Sequence, residues 1–232
     1  VSRCVDVLLE TGAANVGGPM RPVGTTNFGR AVAAATTSVF GVGPGRFHYL
    51  DRRDEVDTVY LGCWRRSTLE AAGGYDESRL QWAAEDQELN FRLRQAGGTV
   101  VLDPQIRSSY FPRDTVNGLA RQYFNYGVAK ASTLAKHRDL PSRRPLAPAA
   151  LVAASAAALV AGRGWQRVAL PVVHAAACAV AAVPLGRDPG VAPHRVFGVF
   201  EICHWAYGAG FWSGVVRILG GRSFDTRPRG HR

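Results

Sequence analysis

The chain has little lysine, and this shortage bears on the partners that its positive charge can serve. Its net charge of +10 comes almost wholly from arginine, because Lys130 and Lys136 are the only lysines. Nucleic-acid binding usually shows a stripe of basic residues with aromatic stacking partners, whereas these arginines are spread along the chain. We therefore expect no nucleic-acid partner. Attraction to an anionic membrane surface explains the positive charge better.

The four cysteines lack the paired spacing that zinc sites and disulfide frameworks show. Cys4, Cys63, Cys178 and Cys203 stand far apart, and two of them fall inside apolar runs. The spacing predicts neither a metal site nor disulfide bonds. A reducing compartment is the simpler inference.

The first residues contain neither a methionine start nor a signal peptide. The segment VSRCVDVLLETGAANVGG has no apolar core of signal length. We expect the chain to be a fragment whose true start lies upstream.

Composition changes sharply near Pro141 and divides the chain into two predicted domains. Residues 1–140 read as alternating short strands and helices, which predicts an α/β fold. Residues 141–232 predict a hydrophobic, helical, membrane-associated region.

Two apolar runs in the second domain predict a membrane hairpin. Residues 146–161 carry no charge, and His174 is the only side chain in residues 168–186 that titrates near neutral pH. A span needs about 20 apolar residues, within a range near 17 to 25, so the first run is marginal and the second is adequate. The alternative is a pair of buried, alanine-rich helices in a soluble domain.

A third apolar stretch, residues 196–219, is rich in aromatics but contains Glu201, His204 and Arg217. It is compatible with a span or with an interfacial helix. If it spanned, the arginine-rich tail would have to cross the membrane, which the charge rule disfavours. We therefore predict that it lies along the cytoplasmic interface, which leaves two spans with both chain ends inside.

Glu85 and Asp86 stand side by side at the predicted start of an amphipathic helix. The unpaired amides and the dipole of a helix N-terminus favour carboxylates, which is a sufficient structural reason for both. A carboxylate there also faces the region beyond the strand ends, where α/β sheets bind ligands, and can accept the proton of a hydroxyl. Further along, Glu88 and Arg92 are four residues apart, which predicts an ordinary solvated ion pair.

The order of several motifs resembles the second half of the catalytic domain of family 2 glycosyltransferases. The stretch VYLGCWRRSTLEAAGGYDESRLQWAAEDQELNFRLRQAGGTVVLDP holds a strand, an Arg-Arg helix start, a Gly-Gly-Tyr-Asp-Glu turn and a Glu-Asp pair opening a helix. With VGGPMRPVGTTNFGRAVAAATTSVFGVG and YFPRDTVNGLARQYFNYG, it is most similar to bacterial exopolysaccharide glucosyltransferases of the succinoglycan type. The resemblance covers about residues 1–140. It implies part of a GT-A (nucleotide-diphospho-sugar transferase) fold that lacks its N-terminal nucleotide-binding half.

The resemblance also implies roles for individual residues. Asp86 would be the catalytic base that deprotonates an acceptor sugar hydroxyl while the anomeric carbon of a nucleotide-sugar is attacked with inversion. Glu85 would be its supporting neighbour in the motif. Gly62 would be the small residue that lets backbone approach the donor sugar. Trp82 would form part of the acceptor floor, although it suits core packing equally well.

Arg121 and Gln122 occupy a place similar to the Gln-x-x-Arg-Trp motif of processive members, where they would bind near the diphosphate. The pattern differs, however, so processive synthesis is not supported. For Tyr123 and Tyr126, which stand at helical spacing, we predict core packing.

A divalent metal, Mg²⁺ or Mn²⁺, is expected for the full-length enzyme because the family holds it with an Asp-x-Asp motif. This chain contains no such motif. The expected partners are a nucleotide-sugar donor, a glycan or lipid-linked acceptor and membrane lipids. The catalytic part would lie on the cytoplasmic side of the cell membrane, where nucleotide-sugars are found.

Two other functions remain open. The chain could be a membrane-embedded, non-catalytic scaffold of a polysaccharide assembly, in which the Glu-Asp pair only caps a helix. It could also be a basic soluble protein that binds nucleic acid, which a clustering of arginines on one face would favour.

Overall fold

A computed structural model describes residues 1–43, 45–76, 83–139, 143, 146–186 and 190–221. The helices are α1 Ser2–Thr11, α2 Asn27–Thr36, α3 Val39–Val42, α4 Arg66–Ala71, α5 Glu85–Gln95, α6 Val116–His137, α7 Leu146–Ala161, α8 Gln166–Leu185 and α9 Pro193–Leu219. The strands are β1 Asn15–Gly18, β2 Asp54–Glu55, β3 Tyr60–Cys63 and β4 Val100–Leu102. The described chain is therefore mixed α/β with a small sheet and a helical majority.

The sheet has the strand order β2-β4-β1-β3. Its centre is a parallel pair, in which Asn15 of β1 lies opposite Val100 of β4. Both outer strands run antiparallel to their neighbours. The two central strands are buried, as expected where layers cover both faces of a sheet. One of those layers includes α1, whose Val7 and Leu8 pack against Val16.

Local signals set several helix ends. Gly12 ends α1 in the left-handed conformation, with φ of 65°, and its N–H donates to the carbonyl of Leu8. The hydroxyls of Thr26 and Thr115 accept hydrogen bonds from Gly29 N and Gly118 N, which caps α2 and α6. These ends follow from the sequence because a cap needs only residues within one turn.

Helix α9 is the central element of the helical region and packs against α2, α6, α7 and α8. Its crossing with α6 is close because both helices present small residues. A Cβ on Gly210 would lie 2.0 Å from the carbonyl oxygen of Phe124, and a Cβ on Gly127 would lie 2.1 Å from that of Tyr207. Small residues at such crossings let helix backbones approach each other.

The largest buried cluster joins residues from both sides of the predicted boundary at residue 140. It contains Ala31, Val32, Ala35, Leu119, Cys178, Ala182, Val196, Val199, Phe200 and Cys203. The α/β part and the C-terminal helices therefore share one core.

In the described part of the chain, α8 is the one helix that is long and apolar enough to cross a membrane. It has 20 residues and a mean hydropathy of 2.1, and only 11% of its apolar window is buried inside the protein. Its exposed valines include Val172, Val173 and Val180. Helix α7 is also apolar but has 16 residues.

Candidate active site

Asp86 lies in the first turn of α5, directly after a strained backbone residue. Ala84 precedes the helix with φ of 61°, a left-handed conformation that costs a residue other than glycine about 1–3 kcal/mol. Ala83 and Ala84 pack against Ala129 of α6, which holds this turn in place. The Asp86 carboxylate accepts a hydrogen bond of 2.7 Å from the N–H of Gln87. The turn therefore fixes the direction of the carboxylate.

The environment of Asp86 makes it more basic than an ordinary aspartate. Burial is the main cause that raises its pKa, and the neighbouring charge of Glu85 raises it further. The hydrogen bond from Gln87 and the charge of Lys130 lower the pKa but do not outweigh burial. Among the described residues, no arginine forms an ion pair with Asp86. Its carboxylate is thus not consumed by a guanidinium and can accept a proton.

Lys130 is a buried lysine whose positive charge acts on the Asp86 carboxylate. It projects from α6, is 7% exposed, and its Nζ donates to Gln87 Oε1 at 2.8 Å. Burial lowers the pKa of Lys130, while the charges of Asp57 and Asp86 act in the opposite direction. A buried ammonium beside a carboxylate helps to keep the latter ionised.

Two partly exposed tyrosines lie within electrostatic range of Asp86. Burial raises the pKa of Tyr75, and the charges of Asp86 and Glu85 add to it. Burial likewise raises the pKa of Tyr126 to about 12, with smaller contributions from Tyr110 and Asp86. Exposed aromatic rings with polar tips suit a hydroxylated ligand. These tyrosines therefore belong with Asp86 in the candidate site.

Gln122 connects this site to a second pair of tyrosines. Its Nε2 donates to the hydroxyls of Tyr110 and Tyr126, each at 3.0 Å. The ring of Tyr110 meets that of Tyr60 edge to face, with centroids 5.9 Å apart. Gln122 is therefore bonded to Tyr126, which lies within electrostatic range of Asp86, whereas Arg121 is exposed.

The prediction of core packing holds for one of the two helical tyrosines. Tyr123 packs against the largest buried cluster. Tyr126 is 36% exposed and bonded to Gln122, so the prediction was wrong for it. Tyr75 was not predicted to belong to the site, although it lies in the Gly-Gly-Tyr-Asp-Glu turn. Its ring meets that of Trp64 edge to face, with the ring centroids 6.1 Å apart.

Gly62 lies in β3, where packing within the chain already requires a glycine. A Cβ there would lie 2.7 Å from both Asn15 Oδ1 and Trp64 Cζ2. Asn15 Oδ1 and Trp64 Nε1 are buried and have no hydrogen-bond partner within the described ranges. The preceding residue, Leu61, has φ of 52°. Trp82, the predicted acceptor floor, lies outside the described residues.

Glu88 and Arg92 correct the prediction of an ordinary solvated pair. Glu88 is completely buried and accepts from Arg92 Nε at 2.9 Å, Lys136 Nζ at 2.8 Å and His137 Nε2 at 2.8 Å. Burial alone would raise its pKa, but the hydrogen bonds from these three groups outweigh it and lower the pKa. Arg92 also donates to the carbonyl of Gly74 at 2.6 Å. The Glu88–Arg92 pair is buried because the end of α6 covers it. We call Glu88, Arg92, Lys136 and His137 together the clamp.

The described residues contain one grouping of three potential metal ligands, which consists of His174, Cys178 and His204. It offers nitrogen and sulfur, whereas Mg²⁺ and Mn²⁺ prefer oxygen ligands. This grouping therefore does not fit the Mg²⁺ or Mn²⁺ that the resemblance implies for a full-length enzyme.

Similarity to a known protein extends over most of the chain. Over 212 residues it is 33% identical to the succinoglycan biosynthesis protein ExoA of Rhizobium meliloti (strain 1021). The match covers 90% of this chain and 63% of the relative, so the chain spans less than two thirds of that protein's length. No protein-family model and no solved structure matches the chain. The chain is therefore a relative of a succinoglycan biosynthesis protein, which confirms the resemblance to the succinoglycan type that its motif order indicates.

Proposed function

We propose that this chain supplies the acceptor side of an inverting glycosyltransferase in bacterial polysaccharide synthesis. Residues 1–140 would be the C-terminal part of a GT-A fold, and the C-terminal helices would hold it at the membrane. The similarity to a succinoglycan biosynthesis protein supports the pathway class. The observation that carries the chemistry is the desolvated Asp86 carboxylate, with its raised pKa, beside the partly exposed Tyr75 and Tyr126.

The proposed reaction is a single displacement. Asp86 accepts the proton of an acceptor hydroxyl, and the hydroxyl oxygen attacks the anomeric carbon of the nucleotide-sugar from the face opposite the leaving group. The new glycosidic bond forms as the bond to the nucleotide diphosphate breaks, and the diphosphate keeps that electron pair. A raised pKa suits this role because a general base works best when its pKa approaches the working pH.

The neighbouring residues tune and orient this base. Glu85 raises the pKa of Asp86, and the charge of Lys130 partly offsets this rise. Tyr126 accepts a hydrogen bond from Gln122, lies within electrostatic range of Asp86, and offers a hydroxyl that can hydrogen bond to a sugar. We propose that the nucleotide-sugar and its metal ion are bound by a nucleotide-binding half of the GT-A fold that is outside residues 1–140, where a divalent ion would stabilise the departing diphosphate.

The full-length protein with Asp86→Asn tests the assignment. Loss of the proton acceptor should reduce the rate of sugar transfer about 10²- to 10⁴-fold with little change in folding. Asp6→Asn is a matched control because Asp6 is an exposed aspartate of α1. Transfer at the parent rate by the Asp86→Asn protein would reject the general base and leave the non-catalytic scaffold as the better explanation.

A further inference from the structure

A compact cluster of metal-binding side chains lies between α8 and α9, away from Asp86. His174 and Cys178 are four residues apart on α8, so they share one helix face. His204 faces them from α9. The ligand atoms of the three side chains all lie within 4.8 Å of one another. The sequence does not predict this cluster, because Cys178 and His204 are 26 positions apart and neither lies in a paired motif.

Two of the three distances between ligand atoms are close to those of a first coordination sphere. A tetrahedral zinc ion, with bonds of about 2.0–2.1 Å to nitrogen and about 2.3 Å to sulfur, separates nitrogen from sulfur by about 3.6 Å and two nitrogens by about 3.3 Å. Cys178 Sγ lies 3.6 Å from His174 Nε2. His174 Nε2 lies 3.0 Å from His204 Nδ1. The third pair, Cys178 and His204, lies within 4.8 Å, so these two ligand atoms would move closer together by up to about an ångström when an ion binds.

Each imidazole has an oxygen on its other nitrogen. His204 Nε2 lies 3.2 Å from the carbonyl oxygen of Phe40, and His174 Nδ1 lies 3.2 Å from Glu201 Oε1. Metal-binding histidines nearly always donate their second N–H to a carbonyl or carboxylate, which fixes the tautomer. Both rings thus present the correct nitrogen to the centre of the cluster.

Glu201 places a carboxylate beside the cluster. Trp205 Nε1 donates to its Oε2 at 2.8 Å, and Oε1 is buried and faces His174 Nδ1 at 3.2 Å. Burial removes the hydration of a carboxylate, which is costly unless a positive charge compensates it. A cation bound to the adjacent histidines would compensate this charge.

We propose that His174, Cys178 and His204 bind one divalent cation of the zinc class, with Glu201 as an outer carboxylate. The thiolate and two imidazoles form a borderline-soft donor set that suits Zn²⁺ and leaves one position open. On binding, the Cys178 thiol releases its proton, and the proton shared by the two imidazoles leaves the space that the ion takes. The ion joins α8 to α9, and through His204 to Phe40 in the α/β part. This site is independent of the proposed transferase chemistry.

Metal analysis of the full protein, purified in detergent with a tag that contains no histidine, tests the site. We expect about one equivalent of zinc per chain. Replacement by Co²⁺ should give the absorption of a cobalt–thiolate bond. Cys178→Ser should abolish that absorption, and His204→Gln should remove most of the metal. Cys63→Ser and His194→Gln are the matched controls, because Cys63 and His194 lie outside the cluster, and both should retain metal and absorption.

Glu201→Gln separates the outer carboxylate from the ligands. Loss of such a partner typically weakens metal binding about 10- to 100-fold while the ligands stay in place. A folded, monodisperse protein that binds neither zinc nor cobalt would overturn the proposal and leave a hydrogen-bonded histidine pair. Equal cobalt–thiolate absorption in Cys178→Ser and the parent would overturn it as well.

Discussion

At the scale of single residues, the two charges beside Asp86 act in opposite directions on its pKa. Glu85 raises it and Lys130 lowers it, while burial has the largest effect and raises it. The carboxylate is needed in its ionised form to accept a proton, so activity should fall as the pH drops through its pKa. Removing either neighbour should therefore shift the pKa of Asp86 in a known direction, which tests whether Asp86 is the group that titrates.

The first prediction concerns the acid limb of the pH profile of kcat/KM in the full-length protein. Glu85→Gln removes a like charge, so the pKa of Asp86 should fall and the acid limb should move to lower pH. Lys130→Met removes an opposite charge and should move the limb to higher pH. Shifts of the same sign in both variants, or no shift in either, would mean that Asp86 is not the titrating base.

At the scale of elements, buried contacts hold α5, α6 and α9 together. Glu88 links α5 to the end of α6 through Lys136 and His137, and Arg92 extends the link to the carbonyl of Gly74. Helix α6 in turn crosses α9 at glycines that leave no room for a side chain. Both features make the position of Asp86 depend on residues distant in the sequence.

The second prediction concerns the clamp at Glu88. Glu88→Gln leaves three donors around a neutral group, and breaking a buried ion pair typically costs about 3–5 kcal/mol in the free energy of unfolding. Glu70→Gln, which breaks the exposed pair with Arg66, should cost at most about 0.5 kcal/mol. Thermal unfolding followed by circular dichroism measures both. Equal effects would show that the Glu88 cluster is not stabilising.

The same clamp predicts a dependence of stability on pH. The pKa of Glu88 is lowered in the folded chain, so its contribution is fully present above the ordinary value of 4.5 and is lost as the pH falls through the lower, folded value. The parent protein should therefore lose more stability than Glu88→Gln when the pH is lowered below about 4.5. Parallel losses would contradict the assignment.

The crossing of α6 and α9 gives another prediction. Gly210→Ala forces a methyl group against the carbonyl of Phe124, and overpacking of this kind typically costs about 1–3 kcal/mol. Gly198→Ala is the control on the same helix, because a Cβ there meets nothing within 4 Å. That control should be neutral or slightly stabilising, since alanine favours helices over glycine by about 1 kcal/mol. Unfolding midpoints of the two variants should move in opposite directions or by clearly different amounts.

At the scale of the whole molecule, the length, composition and exposure of α8 support membrane association. We propose that α7 and α8 form a hairpin with both chain ends in the cytoplasm, beside the proposed supply of nucleotide-sugar. Helix α9 carries Glu201 and Arg217 and packs against α6. We therefore propose that α9 lies along the membrane interface and does not span the membrane.

Cysteine labelling of intact cells tests this topology in a Cys63→Ser background, where the other native cysteines are buried. Arg163→Cys, in the connection between α7 and α8, should react with a membrane-impermeant reagent added outside. Leu219→Cys, at the exposed end of α9, should react only after the cells are opened. Outside labelling at position 219 would refute the two-span arrangement.

Features that depend on neighbouring residues could be predicted from the sequence. The helix end at Gly12, the cap at Thr26 and the apolar length of α8 each follow from a few consecutive positions. The order of motifs around Glu85 and Asp86 was sufficient for the resemblance that the 33% identical relative confirms. Backbone conformation and helix periodicity are local, so they can be read without knowing the fold.

Contacts between residues distant in the sequence are set by the packing of the fold and could not be predicted. Glu88 and Arg92 were predicted to be a solvated pair, but Lys136 and His137 cover Glu88 in the fold. Tyr126 was predicted to lie in the core, but it is partly exposed and bonded to Gln122. Likewise, Cys178 and His204 form a cluster only because α8 and α9 pack against each other. Burial and pKa depend on groups brought together through space, and spacing along the chain carries no record of those contacts.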